Sequence, residues 1–180
     1  MESIEILVEE HENILKFTDI CEKECIEILD GKEVSVDFFR DAIEFIRNYA
    51  DDYHHGKEER ILFDYMIKHL GKVAESLVRY GMFVEHDLAR KYVRELENYL
   101  NEYEREKNTK NKLGIISNMM AYVYLLRDHA DKENKLVYPF AEKNLDDKLF
   151  EEINKLTILE KENAIKEGKI VKYLDFIKEN

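Results

Sequence analysis

One segment of this chain occurs twice at a constant offset, and that repeat limits the fold more than any other feature. His54-His-Gly-Lys-Glu58-Glu-Arg-Ile-Leu-Phe63 is answered by His129-Ala-Asp-Lys-Glu133-Asn-Lys-Leu-Val-Tyr138. Both read His, three residues, Glu, two residues, two aliphatics and an aromatic. Positions four apart share a helix face, so each copy sets an imidazole beside a carboxylate. A simpler pair, Val8-Glu-Glu-His11 and Phe83-Val-Glu-His86, repeats as well. His11 to His54 and His86 to His129 are each 43 residues, while His11 to His86 and His54 to His129 are each 75. Matched spacing, residue type and apolar flanks define two half-sites built from His11, His54, Glu58, His86, His129 and Glu133.

The rest of the chain supplies helices to carry them. Hydrophobic residues are 44% and charged residues 38%, with a single Pro, a composition that favours long helices over sheet. Residues 2–29 read as a first helix, with Ile4, Leu7, His11, Ile14, Thr18, Cys21, Cys25 and Ile28 on one stripe. Asp30-Gly31-Lys32 ends it, and Ser35 is the expected N-cap of a second helix over 36–69. In that helix Ile46, Ala50, His54, Glu58 and Leu62 form an apolar ladder, whereas Arg47, Asp51, His55, Glu59 and Phe63 do not. His54 and Glu58 are therefore expected inside, with His55 and Glu59 on a solvated flank, the alternative being a rotation of this helix that brings His55 to a metal. Gly56 costs ~1 kcal/mol in a helix relative to Ala and is read as leaving room near the site.

Gly71 marks a turn. A third helix is best defined over 82–106 and starts before Gly81; Asn108 to Asn111 is a polar loop; a fourth helix covers 112–143, with Pro139 kinking it. Two further helices are expected at 146–166 and 169–178. No linker divides the 180 residues, so one domain is expected, with a metal-binding bundle over about 2–143 and a C-terminal helical extension over about 146–178. The fold class is all-α, an up-down-up-down four-helix bundle with additional C-terminal helices.

Four imidazoles and two carboxylates on inward faces, with no Lys or Arg among them, are expensive to bury unless cations compensate. Nitrogen and oxygen ligands suit iron, manganese or zinc and disfavour copper(I) or an iron–sulfur cluster. A formal net charge of -12 argues against nucleic acid and anionic membranes as partners. No apolar run has transmembrane length, the N-terminus lacks a basic signal region, and two cysteines are too few for a disulfide scaffold, so a cytoplasmic location is expected.

The pattern of a lone His, His-x-x-x-Glu, a lone His and His-x-x-x-Glu resembles the hemerythrin-like family, the HHE cation-binding domains. Here it reads His11, His54-x-x-x-Glu58, His86 and His129-x-x-x-Glu133, across about residues 2–143. The resemblance implies two Fe ions in a non-haem diiron centre with a bridging solvent or oxo group and both glutamates bridging. His11 and His54 would serve one iron, His86 and His129 the other. The similar oxygen carriers have a fifth histidine four residues from the third-helix histidine, where this chain has Met82 and Arg90. They also carry an Asp five after the last-helix histidine, where this chain has Asn134. The resemblance thus implies a protein that binds dioxygen or another small diatomic ligand for storage, sensing or scavenging. The alternative is a diiron oxidoreductase acting on peroxide, oxygen or nitric oxide with an electron donor, or an iron-handling or repair protein. Without a fifth histidine, dioxygen is expected to oxidise the centre rather than leave it.

Three other groups have plainer readings. Cys21 and Cys25 are packing thiols, and His69 is a surface residue. Tyr122 fills the core on the site face, about two turns before His129, the alternative being a hydrogen bond donated to a bound ligand.

Overall fold

The computed structural model describes residues 2–179, and these form six helices with no strand among them. They are α1 (Glu2–Leu29), α2 (36–69), α3 (71–105), α4 (109–144), α5 (Asp147–Lys166) and α6 (Val171–Glu179). The local signals explain the boundaries. Ser35 accepts from Phe38 N–H at 3.3 Å and caps α2, as expected from sequence. Gly71 separates α2 from α3 with φ of +73°, a backbone conformation that side chains with a Cβ rarely adopt. Two expected boundaries move. Residues 71–82 are already helical, so α3 starts eleven residues before its 82–106 reading and ends one residue earlier. Asn108 accepts from Asn111 N–H at 2.9 Å, so the expected loop is the first turn of α4 with its cap.

The helices pack α1 against α4, α4 against α3, α3 against α2, and α2 back against α1, consistent with a helical bundle. α5 lies over α1 and α2, and α6 lies on α1. Two apolar clusters result. One gathers Ile14, Phe17, Cys21, Phe45, Val93, Leu96, Met119 and Leu126; the other gathers Ile4, Leu7, Leu62, Phe63, Met82, Val137 and Phe150. Each fully buried side chain of this size contributes roughly 1.5–3 kcal/mol. On every bundle helix the inward histidine lies between the two clusters in sequence, so a polar layer crosses an otherwise apolar interior. Both cysteines are free and buried and His69 is exposed, as read from sequence. None of the described helices is long and apolar enough to cross a membrane.

The helices are not regular α-helix throughout. Wide turns, each with one residue more than an α-turn, occupy Ile46–His55, Glu58–Leu62, Val78–Met82 and Glu133–Val137. Their signature is an N–H reaching five residues back: Gly56 to Asp51, Phe63 to Glu58, Phe83 to Val78, Tyr138 to Glu133. Tyr138 is the last residue able to donate before Pro139, which has no N–H, and α4 continues to Asn144 beyond it. Such turns concentrate at functional sites.

Candidate metal centre

All six residues read from the repeat converge in the polar layer. His11, His54, Glu58, His86, His129 and Glu133 are each at most 2% exposed. A seventh joins them. His55, expected on a solvated flank, is 2% exposed, and its ring stacks on His86 with centroids 3.8 Å apart. The helix-face argument assumed α-helical winding, which turns adjacent residues about 100° apart. The wide turns on both sides of residue 55 reduce that angle and insert extra residues, so both histidines face inward. Glu59 is likewise half-buried and bonded within the site rather than solvated. The nearest atoms that a Cβ at Gly56 would meet belong to the Arg60 guanidinium rather than to the centre.

Two groups of ligand-type atoms, each lying within 4.8 Å of one another, could hold a metal ion. One is His11, His54, Glu58 and Glu133; the other is His55, Glu58, His86 and His129. Glu58 belongs to both.

The five imidazoles are oriented by the same device. Each Nδ1 faces an oxygen on the outer side: His11 to Asn134 at 2.8 Å, His54 to Glu10 at 2.9 Å, His55 to Asp51 at 3.4 Å, His86 to Glu59 at 2.7 Å, His129 to Glu85 at 2.9 Å. With Nδ1–H donating outward, the Nε2 lone pair is left facing the interior, as metal-ligating histidines require. Tyr138 O–H donates to Glu58 Oε1 at 2.5 Å and leaves Oε2 open.

What faces inward has too few partners. His54 Nε2, His55 Nε2, Glu58 Oε2 and both oxygens of Glu133 are buried without a hydrogen bond. His11 Nε2 and His129 Nε2 lie 3.2 and 3.1 Å from Glu133 Oε2, but not in hydrogen-bond alignment. His86 Nε2 and His129 Nε2 face each other at 3.2 Å, so only a proton or a cation between them avoids opposed lone pairs. Each buried polar group left unmatched costs about 1–3 kcal/mol, more if charged. Inward lone pairs on nitrogen and carboxylate oxygen therefore fit divalent cations of borderline hardness.

The electrostatics agree. Burial, with neighbouring histidines assisting, holds His54 well below the usual imidazole range and His55 at about 3. Burial also lowers His86. His129 goes the other way: burial alone would lower it, but Glu133 and Glu85 outweigh that and lift it to about 10. Burial and then the charge of Glu133 push Glu58 well above the carboxylate range. Glu133, which burial alone would raise, is held far below that range by His129 and His11. His129 and Glu133 thus favour each other's charged forms, while Glu58 is shifted toward its neutral form.

Behind the ligand-type residues lies a layer that the sequence reading missed. Lys57, only 1% exposed, bonds Glu10 and sits 3.3 Å from the centroid of the Tyr53 ring. Its counterpart Lys132 bonds Glu85. The signal was present in the repeat: Glu10 and Glu85, like Lys57 and Lys132, are 75 residues apart. Arg90 ties together Asp51 and Glu59, the partners of His55 and His86. Those carboxylates, which burial alone would raise, are held down at about 2 by His55 with Arg90 and by His86 with Arg90.

The hemerythrin HHE cation binding domain matches residues 2–141. Comparison with curated proteins and with solved structures gave no match. With the family's histidine and glutamate pattern in sequence, and those same side chains gathered in one buried layer, the chain belongs to the hemerythrin HHE cation-binding domain family.

Proposed function

We propose that the chain is an up-down-up-down bundle holding two iron ions, and that this centre reversibly binds dioxygen or another small diatomic ligand. The observation that carries the reading is the inequality of the two groups: three imidazoles on one side, two on the other, with Glu58 common to both. Met82 is packed in an apolar cluster and Arg90 is engaged by carboxylates, so neither replaces the carriers' fifth histidine. His55 does. The expectation of oxidation without release rested on a missing fifth nitrogen, and it is withdrawn.

Two ferrous ions held there would supply the electrons with which such a ligand is bound. The protein does the rest. Glu58 offers oxygens to both sides, and Glu133 adds a second carboxylate on the two-imidazole side. The outward Nδ1–H bonds keep five imidazoles in the ligating tautomer. Tyr138 O–H, donating to Glu58 and 3.5 Å from His11 Nε2, places a proton at the two-imidazole side, where charge developing on a ligand can be offset. Apolar clusters on both sides exclude bulk water.

Elemental analysis of protein produced with ample iron should find two irons per chain, and chelation should lower the melting temperature. The reduced, iron-loaded protein should then be mixed with dioxygen and the gas removed. Recovery of the colourless reduced spectrum over repeated cycles is expected. Permanent conversion to an oxidised spectrum would overturn reversible binding and move the chain to the oxidoreductases.

A further inference from the structure

A cleft opens between α2 and α3 and ends against the three-imidazole side. Its volume is about 310 Å³. A diatomic ligand needs about the room of one water, ~30 Å³, so the cleft is roughly tenfold too large for a passage serving such a ligand alone. It falls instead at the lower end of the range of pockets that hold small organic molecules, roughly 300–1,000 Å³.

Its lining has three parts. Ile46, Ala89 and Val93 form apolar walls. Tyr122 and His55 contribute at the buried end. The Tyr122 hydroxyl is buried and has no hydrogen-bond partner, an arrangement that costs about 1–3 kcal/mol unless a ligand supplies an acceptor. The remaining part is charged: the Asp51 carboxylate and three arginines. Arg47 is held by Glu97, and Arg90 by Asp51 and Glu59, but Arg94 is exposed and has no ion-pair partner among the described residues. A free guanidinium, an apolar wall and Tyr122, a residue whose buried hydroxyl is unmatched, therefore line one cavity, in a chain whose formal net charge is -12.

We propose that this cleft binds a small organic monoanion: a carboxylate on Arg94, a short apolar body along Ile46, Ala89 and Val93, and a carbonyl-type acceptor on the Tyr122 hydroxyl. The ligand lies beside His55, and its role as substrate or effector of the centre rests on the iron reading above; its binding does not.

Three probes separate the contacts. Levulinate carries both the carboxylate and a ketone, pentanoate lacks the ketone, and 2-pentanone lacks the charge. Saturation-transfer and amide-shift titrations are made on metal-free and iron-loaded protein, with iron determined on the same samples. Levulinate is expected to bind most tightly. Arg94→Gln should weaken levulinate and pentanoate about tenfold and leave 2-pentanone unchanged, the loss expected for a charge-assisted hydrogen bond. Tyr122→Phe should remove the preference for levulinate over pentanoate without altering iron content. Equal binding of all three probes, no binding, or an unchanged Arg94→Gln variant would overturn the proposal. If iron fails to load yet levulinate binds with these dependences, the iron reading falls and the cleft stands. If iron loads and levulinate does not bind, the reverse holds. Both variants are first checked for unchanged melting temperature, and should either be destabilised, Arg94→Ala and Val93→Leu supply the charge and wall tests.

Discussion

The two halves of the centre are copies related by 75 residues, and three of the positions at which they differ set their chemistry apart. Glu10 and Glu85, His11 and His86, His54 and His129, Lys57 and Lys132, and Glu58 and Glu133 correspond in residue type, and the bonds of Glu10 to His54 and Lys57 match those of Glu85 to His129 and Lys132. The symmetry breaks where His55 faces Ala130 in the repeat, Glu59 faces Asn134, and Phe63 faces Tyr138. Each break changes the chemistry on one side. His55 adds an imidazole beside His86. Glu59 gives His86 an anionic partner where Asn134 gives His11 a neutral one. Phe63 packs near His86 with centroids 6.1 Å apart, while Tyr138 stacks at 5.6 Å from His11 and adds a hydroxyl. A duplicated frame thus positions two like clusters, and a few substitutions make one nitrogen-rich and the other able to donate a proton.

Burial differs too. The Lys57–Glu10 side chains are 1% and 5% exposed, whereas Lys132–Glu85 are 38% and 20% exposed. The cause is α5, which lies over α1 and α2, with Lys161 on Glu9 at 2.9 Å and Glu160 near Arg60 at 3.2 Å. Among the described residues no helix covers the other pair in the same way, and it stays partly exposed. One ion pair behind the site is therefore part of the interior and its twin is part of the surface.

The largest effect should come from the residue that both halves share. Glu58→Ala is expected to reduce iron from two per chain toward none, read by elemental analysis; retention of one full equivalent would show that the halves do not depend on a common carboxylate. Next, His55→Ala should release the ion of the three-imidazole side alone, leaving about half the metal, while His11→Ala should release the other. Full occupancy in His55→Ala would return that residue to a packing role and erase the difference between the halves.

The buried pair should be more costly to break than its exposed twin. Glu10→Gln strands the Lys57 ammonium and should destabilise the metal-free protein by about 3 kcal/mol, because an uncompensated buried charge remains. Glu85→Gln should cost under about 1 kcal/mol, as exposed pairs do. In denaturant titrations equal losses would remove α5 as the source of the asymmetry. Each change should also weaken iron binding roughly 10–100-fold by loosening the histidine it orients. The smallest effect is expected at the neutral partner: Asn134→Ala removes one uncharged hydrogen bond, about 1 kcal/mol or a fivefold loss of iron affinity. A larger loss there than at Glu85 would invert the ranking of the two sides.

What was legible in the sequence was what depends on local spacing. The start of α2 follows from the Ser35 cap, apolar stripes place His11, His86 and His129 inside, and the i,i+4 pairs place Glu58 and Glu133 beside their histidines. These readings need only the winding of one helix at a time. The tertiary structure decided the rest. Whether residues 46–62 wind as α-helix or in wider turns depends on what each face packs against, since the same N–H can bond four or five residues back. That choice brought His55 into the centre, against a face argument that assumed one winding. The burial of Lys57 depended on α5 arriving from about a hundred residues away, and the bond from Tyr138 to Glu58 on two helices meeting. Hydrophobic periodicity records which side of a helix is buried; it holds no information on which neighbour buries it, and in this chain that neighbour sets the difference between the two halves.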